Sequence, residues 1–279
     1  MYTSVITAQQ LNSIKHDNLV IIDCRFQLAD TEAGRKAYNV SHLTSAYYCH
    51  LDEDCSGPIT DKSSRHPLPA VFSFLNTIAK WGITKNSQVV VYDASTGAIA
   101  ARLWWMLKNI GLNAVAVLSG GFNNWHESGF PVSNICPSIQ SGPTDICVQQ
   151  WDYVSMDQMK QYINDSEYLI IDARAAERYA GHVEPIDPIA GHIPSAVNRF
   201  HGENFDQQSL FKPRSDLLAG FKALIGDYPL DHVIVYCGSG VTSCAHLVAL
   251  EYINFSNSRL FAGSWSEWIK DPENPIIKK

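Results

Sequence analysis

The residue in this chain best placed to do covalent chemistry is Cys237. It closes an apolar run, Val233 to Tyr236, and opens the segment Cys-Gly-Ser-Gly-Val-Thr over 237–242, which leads into a helical pattern with apolar residues at Val241, Ala245, Val248 and Ala249. A strand, a tight loop and a helix in that order make an anion site. Gly238 and Gly240 admit backbone angles closed to other residues, so consecutive N–H groups can turn inward beside the positive end of the helix. A free cysteine titrates at about 8.5, and such a setting lowers that value, so the thiolate becomes available as a nucleophile at neutral pH. The remaining thiols that the sequence places in apolar or unremarkable surroundings, Cys24, Cys49, Cys136, Cys147 and Cys244, read as packing residues.

The elements needed to hold such a loop occur twice. Leu19 to Arg25 (LVIIDCR) is answered by Tyr168 to Arg174 (YLIIDAR), and Val89 to Asp93 (VVVYD) by Val233 to Cys237 (VIVYC). Leu118 to Trp125 (LSGGFNNW) is answered by Phe261 to Trp268 (FAGSWSEW), and a proline follows each. The constant order marks a duplication. A stretch rich in Pro, Ser and Gly near Ser133 to Asp145 divides it, giving expected domains at 1–134 and 146–279 joined by 135–145. Helical patterns at 70–81, 98–109, 155–164 and 217–225 alternate with the strands, so each half is expected to be α/β, a mainly parallel sheet with helices on both faces. Ligands in such sheets bind beyond the carboxyl ends of the strands, where Cys237 lies. The first half carries Asp93 at the corresponding place and is therefore expected to be inactive, its carboxylate serving a helix N-terminus.

Composition narrows the setting. The chain has 279 residues, 46% of them hydrophobic, enough for two cores. A net charge of -7 argues against nucleic acid as a partner. No apolar run is long enough to span a membrane, and MYTSVITAQQ lacks the plan of a secretion signal, so a cytoplasmic setting with reduced thiols is expected. The odd cysteine count lacks disulfide-framework spacing, and no zinc-type spacing occurs.

These pieces together, the DCR and DAR strand ends, GHIP at 191–194, CGSGVT at 237–242 and GSWSEW near the end, resemble the tandem-domain rhodanese family of sulfurtransferases. The resemblance implies two rhodanese-like domains, no metal and no organic cofactor. It implies a Cys237 persulfide formed from a small sulfur donor and passed to cyanide, a thiol or an acceptor protein such as a thioredoxin-like one, with ping-pong kinetics. Gly238, Ser239, Gly240, Val241 and Thr242 match the family's persulfide cradle. In its mercaptopyruvate-type members a serine two residues after the nucleophile and a histidine from the other domain take part, here Ser239 and His66 of SRHPLP. Such members also grip the donor carboxylate with arginines between DAR and GHIP. This interval offers Arg178 with acidic neighbours Glu184 and Asp187, and Arg199 stands just beyond it as the second candidate.

Thiosulfate-preferring members place cations directly after the nucleophile, whereas Gly238 and Ser239 are uncharged, so 3-mercaptopyruvate is the expected donor and thiosulfate the alternative. Asp172 with Arg174, and Asp23 with Arg25, read as structural ion pairs. Cysteine phosphatases share the architecture but need an arginine six residues after the nucleophile, where this chain has Ser243. A persulfide carrier with little small-molecule turnover would keep the same cradle.

Overall fold

The computed structural model describes residues 1–14, 18–140, 142 and 144–278. The chain divides into two compact units. One comprises Met1–Gly57, Pro69–Asp152 and Phe205–Phe211, and the other Pro58–Leu68, Tyr153–Asn204 and Lys212–Lys279.

In the first unit five parallel strands lie in the order Val5–Ile6, Val115–Leu118, Gln88–Tyr92, Leu19–Asp23 and Ala46–Tyr48. The central strand Gln88–Tyr92 is buried along its whole length, as the run of valines requires. The helix Val71–Lys80 turns Val71, Phe74 and Ile78 inward at helical spacing, whereas Ala100–Asn109 is buried from Ala100 to Leu107. The core gathers Ile6, Leu43, Val90, Tyr92, Leu118 and Trp125.

The second unit repeats the plan with four parallel strands in the order Arg259–Leu260, Val233–Tyr236, Leu169–Asp172 and Val197–Asn198. A single parallel bridge from Val154 to Phe261 stands where the first unit has its edge strand Val5–Ile6. The core holds Ile170, Ile234, Tyr236, Phe261, Trp265 and Trp268. The duplication extends to polar detail. Arg25 Nη2 donates to Asp23 and to the Ser41 carbonyl, and Arg174 Nη2 donates to Asp172 and to the Gly191 carbonyl, at 2.6 Å in every case. Trp125 Nε1 donates to the Pro131 carbonyl at 2.9 Å, and Trp268 Nε1 to that of Pro275 at 3.0 Å. His42 and His192 each bond the carbonyl of a stacked tyrosine, Tyr38 and Tyr179, at 2.7 Å. The SHL and GHI segments therefore correspond, a repeat that the sequence comparison overlooks.

The units differ from a simple cut of the chain. Pro58–Leu68, expected in the first half, packs within the second unit, because Arg65 N donates to Ser266 Oγ at 3.2 Å and the Arg65 side chain pairs with Asp187. The expected linker runs along the first unit: Gln140 N donates to the Lys80 carbonyl at 2.9 Å and Thr144 Oγ1 to that of Ile83 at 3.1 Å. Ser141 and Pro143 of that linker lie outside the described residues. Cys136 on this stretch and Cys147 just after it, read from sequence as packing thiols, are exposed, whereas Cys24, Cys49 and Cys244 are buried. Among the described residues no helix is long and apolar enough to cross a membrane.

Candidate active site

The strand Val233–Tyr236 delivers Cys237 at its carboxyl end, and the helix Cys244–Tyr252 begins after the loop. Cys237 is 2% exposed. Burial pushes its thiol up, but the Ser243 and Thr242 hydroxyls and the N–H groups of Ser239 and Ser243 outweigh it, leaving the thiol below its ordinary value. Ser243 Oγ is buried and has no other hydrogen-bond partner among the described residues. It occupies the place where a phosphatase would carry arginine, and here it serves the sulfur.

Two kinds of constraint shape the loop. Gly240 sits at φ +75°, and a Cβ there would come within 2.3 Å of the Ala262 carbonyl oxygen, so backbone angle and space both demand glycine. Gly238 shows no such angle, contrary to the sequence reading. What stands beside it is charge: an added Cβ would lie 2.9 Å from Arg65 Nη2 and 3.6 and 3.8 Å from Arg178 Nη2 and Nη1, the ends of flexible side chains. Val241 is buried and faces the interior.

The GSWSEW segment holds the loop from behind. Trp265 N donates to the Cys237 carbonyl at 3.0 Å and Ser266 N to that of Gly238 at 2.8 Å. Cys237 N donates at 3.1 Å to Ser264 Oγ, which itself donates to the Phe261 carbonyl at 3.0 Å. Ser264 adopts φ +54°, a conformation uncommon outside glycine, and Gly121 holds φ +55° at the corresponding place in the first unit. Sequence reasoning missed Ser264, although the Gly-to-Ser difference between GGFNNW and GSWSEW was visible.

Ser239 and His66 come together. His66 Nδ1 lies 2.7 Å from Ser239 Oγ, and both residues are 5% exposed. The histidine arrives on Pro58–Leu68, within the same unit as the loop.

The arginines redistribute. The guanidinium of Arg178 lies beside Gly238, and so does that of Arg65, which the sequence reading passed over beside His66. Asp187 joins them: Oδ1 accepts from Arg65 Nη1, and Oδ2 accepts from Arg178 Nη2 at 3.3 Å. Glu184 Oε1 accepts from Arg178 Nη2 at 2.6 Å and Oε2 from Arg174 Nη1 at 3.2 Å. Burial pushes Asp187 up against the pull of Arg65, whereas Glu184 falls below its usual range because the Arg178 bonds outweigh its burial. Arg199 is corrected. It is buried over the Phe221 ring at 3.9 Å, with Nη1 donating to Asn204 Oδ1 at 2.7 Å and to His246 Nδ1 at 3.0 Å, so its guanidinium is committed to packing. His246 Nε2 donates to the Arg199 carbonyl at 2.8 Å, which leaves Nδ1 as the acceptor.

In the first unit Asp93 fills its own cradle. Its Oδ1 accepts from Ser95 N at 3.0 Å and Gly97 N at 2.8 Å, and Oδ2 from Ile99 N at 2.9 Å and Ala100 N at 3.4 Å. The loop is thus an anion nest whose anion is covalently attached.

The rhodanese-like domain model matches this chain twice, over residues 7–128 and 155–271. The chain belongs to the rhodanese-like domain family. A protein of Pseudomonas aeruginosa named "Probable 3-mercaptopyruvate sulfurtransferase" is 38% identical over 275 residues, covering 98% of this chain and 97% of that protein. The "Putative thiosulfate sulfurtransferase SseB" of Mycobacterium tuberculosis is 35% identical over 280 residues, covering 98% and 96%. The crystal structure of SseA from Escherichia coli, titled as a 3-mercaptopyruvate sulfotransferase, superposes with TM-score 0.79 at 26% identity over 95% of this chain and all of that one. Both rhodanese domains described by the model fall where the repeat is seen, one with Asp93 and one with Cys237 in the loop.

Proposed function

We propose that the second rhodanese domain moves the thiol sulfur of 3-mercaptopyruvate, as the sulfane sulfur of a Cys237 persulfide, to a thiol or cyanide, and that the first, with Asp93, is inactive. Along the sequence the division runs 1–134 and 146–279, with Pro58–Leu68 packing in the second unit and Phe205–Phe211 in the first. The chain is a sulfurtransferase, as the names of its relatives indicate. The observation that carries the reading is the buried, acid-shifted thiol of Cys237 beside the Ser239–His66 pair.

In the first half-reaction the Cys237 thiolate attacks the donor sulfur, and the carbon–sulfur bond breaks with its electron pair going to carbon as the pyruvate enolate. The donor's S–H proton, lost as the persulfide becomes an anion, passes through His66 and Ser239 to the enolate carbon and gives pyruvate. The persulfide anion then rests against the N–H groups of Ser239 and Ser243 and the Thr242 and Ser243 hydroxyls, which already favour the thiolate. In the second half-reaction an acceptor thiolate or cyanide attacks the outer sulfur and Cys237 leaves as thiolate. An acceptor protein, thioredoxin-like in bearing an exposed thiol, would use the same step. We place the reaction in the cytoplasm, where Cys237 stays reduced between turnovers.

Although Gly238 and Ser239 are uncharged, Arg65 and Arg178 stand against Gly238 and bring positive charge to the loop. Mercaptopyruvate remains favoured because its carbon leaving group needs the proton that Ser239 can deliver, whereas sulfite leaving from thiosulfate needs none. The test is kcat/KM for both donors with one acceptor, together with mass spectrometry after donor treatment. One added sulfur on the Cys237 peptide, absent in Cys237→Ser and retained in Cys244→Ala, is expected. Sulfur on another cysteine, or thiosulfate turnover equal to that of mercaptopyruvate, overturns the assignment.

A further inference from the structure

We propose that Asp187 sets the charge of the donor accepted at this site, by fixing Arg65 and Arg178 as a two-armed anion clamp against Gly238 and cancelling part of their charge. This rests on the sulfurtransferase reading for its donors, but the clamp itself is a binding property. Three observations converge. Both guanidinium groups approach the residue next to the nucleophile, from different segments of the second unit. Asp187, 6% exposed, takes one arginine on each carboxylate oxygen, so it spaces the arms as well as neutralising them. Arg65 Nε is buried and has no hydrogen-bond partner among the described residues, a donor left for an incoming anion.

The charges then decide what fits. Arg65, Arg174 and Arg178 are matched by Asp172, Glu184 and Asp187, three against three in one connected network. A monoanion such as a 2-oxo acid needs little more than the local N–H donors of the clamp. A compact dianion needs net positive charge, which Asp187 withholds. Removing one negative charge should therefore benefit a dianion over a monoanion by about tenfold, one extra unit of Coulomb attraction at several ångströms in a partly screened site.

The experiment measures protection of Cys237 from iodoacetamide by pyruvate and by sulfate, a monoanion and a dianion that carry no transferable sulfur. The unsubstituted protein is expected to be protected at lower concentrations of pyruvate than of sulfate. In Asp187→Asn the ratio should move toward sulfate by about tenfold, and Asp187→Glu, which keeps the charge, should restore it. The relative kcat/KM for thiosulfate should rise in Asp187→Asn by a similar factor. An unchanged ratio, or a move toward pyruvate, overturns the proposal. Should Asp187→Asn fail to fold, Arg65→Gln decides: it must weaken sulfate protection more than pyruvate protection, and equal weakening overturns the clamp. If the protection ratio moves but neither donor loads sulfur, the sulfurtransferase reading fails while the clamp stands.

Discussion

Replacing Gly240 by alanine tests whether the cradle is held by the segment behind it. The left-handed angle of +75° is unfavourable for an alanine by about 1–2 kcal/mol. The new Cβ would lie 2.3 Å from the Ala262 carbonyl oxygen and 3.0 Å from its carbon, backbone atoms that cannot rotate away. Relief requires the loop and the residues before GSWSEW to part by about 1 Å, an overpacking strain of about 1–3 kcal/mol. Together these predict a loss of about 2–5 kcal/mol and a midpoint about 10 °C lower for the second unit's transition. The same displacement breaks the bonds from Trp265 N and Ser266 N to the loop, so sulfur loading of Cys237 should fall even where the protein is folded. Thermal melts followed by tryptophan fluorescence, with mass spectrometry of donor-treated protein at a temperature below both transitions, measure the two effects. Gly220→Ala is the internal comparison. It lies within the helix Arg214–Ile225 with nothing within 4 Å of an added Cβ, and should stabilise by about 0.5–1 kcal/mol. If Gly240→Ala melts with the parent protein and loads sulfur at the same rate, the account of the cradle is wrong.

Ser243→Ala removes a hydroxyl that favours the Cys237 thiolate, worth about 1.5–3 kcal/mol for a bond to a charged group. The alkylation rate at neutral pH should fall by at least about tenfold and its pH profile should move to higher pH, whereas an unmoved profile would remove Ser243 from the site. His66→Gln should lower kcat for mercaptopyruvate by about a hundredfold and affect thiosulfate far less, because only the first donor needs a proton at carbon. Equal losses with both donors would reduce the Ser239–His66 contact to packing. His201 is held near a pKa of about 4 by burial, below the ordinary value of 6.5. The unfolded chain therefore binds this proton first, and stability falls as pH drops from about 6.5 to 4, by about 2–3 kcal/mol for this group. Urea titrations of His201→Gln across that range should show a shallower acid limb, and an unchanged slope would exclude the group.

The sequence by itself determined what depends on neighbours along the chain. Asp172 and Arg174, two residues apart at a strand end, find each other because the strand's end turns the arginine back onto the carboxylate, and the same holds for Asp23 and Arg25. The Cys237 loop was legible for the same reason: its strand, its glycine and its helix are contiguous, and the first half displayed the same loop with Asp93. Only the tertiary structure decided who stands around that loop. His66 reaches Ser239 across 173 residues, and Arg65 reaches Asp187 across 122. Spacing along a chain carries no information about such closures, which the packing of Pro58–Leu68 in the second unit determines. The sequence showed Glu184 and Asp187 only as acidic neighbours of Arg178. In the folded protein they are acceptors that hold the half-buried Arg178 and Arg65 in place, because a guanidinium withdrawn from part of its water must be paired before it can be positioned. Arg199, the residue directly after the strand Val197–Asn198 and equally cationic, turns into the packing of Phe221, Asn204 and His246 instead. Charge and proximity in sequence were alike for Arg178 and Arg199, and the direction of each side chain, set by what packs around it, separated their roles.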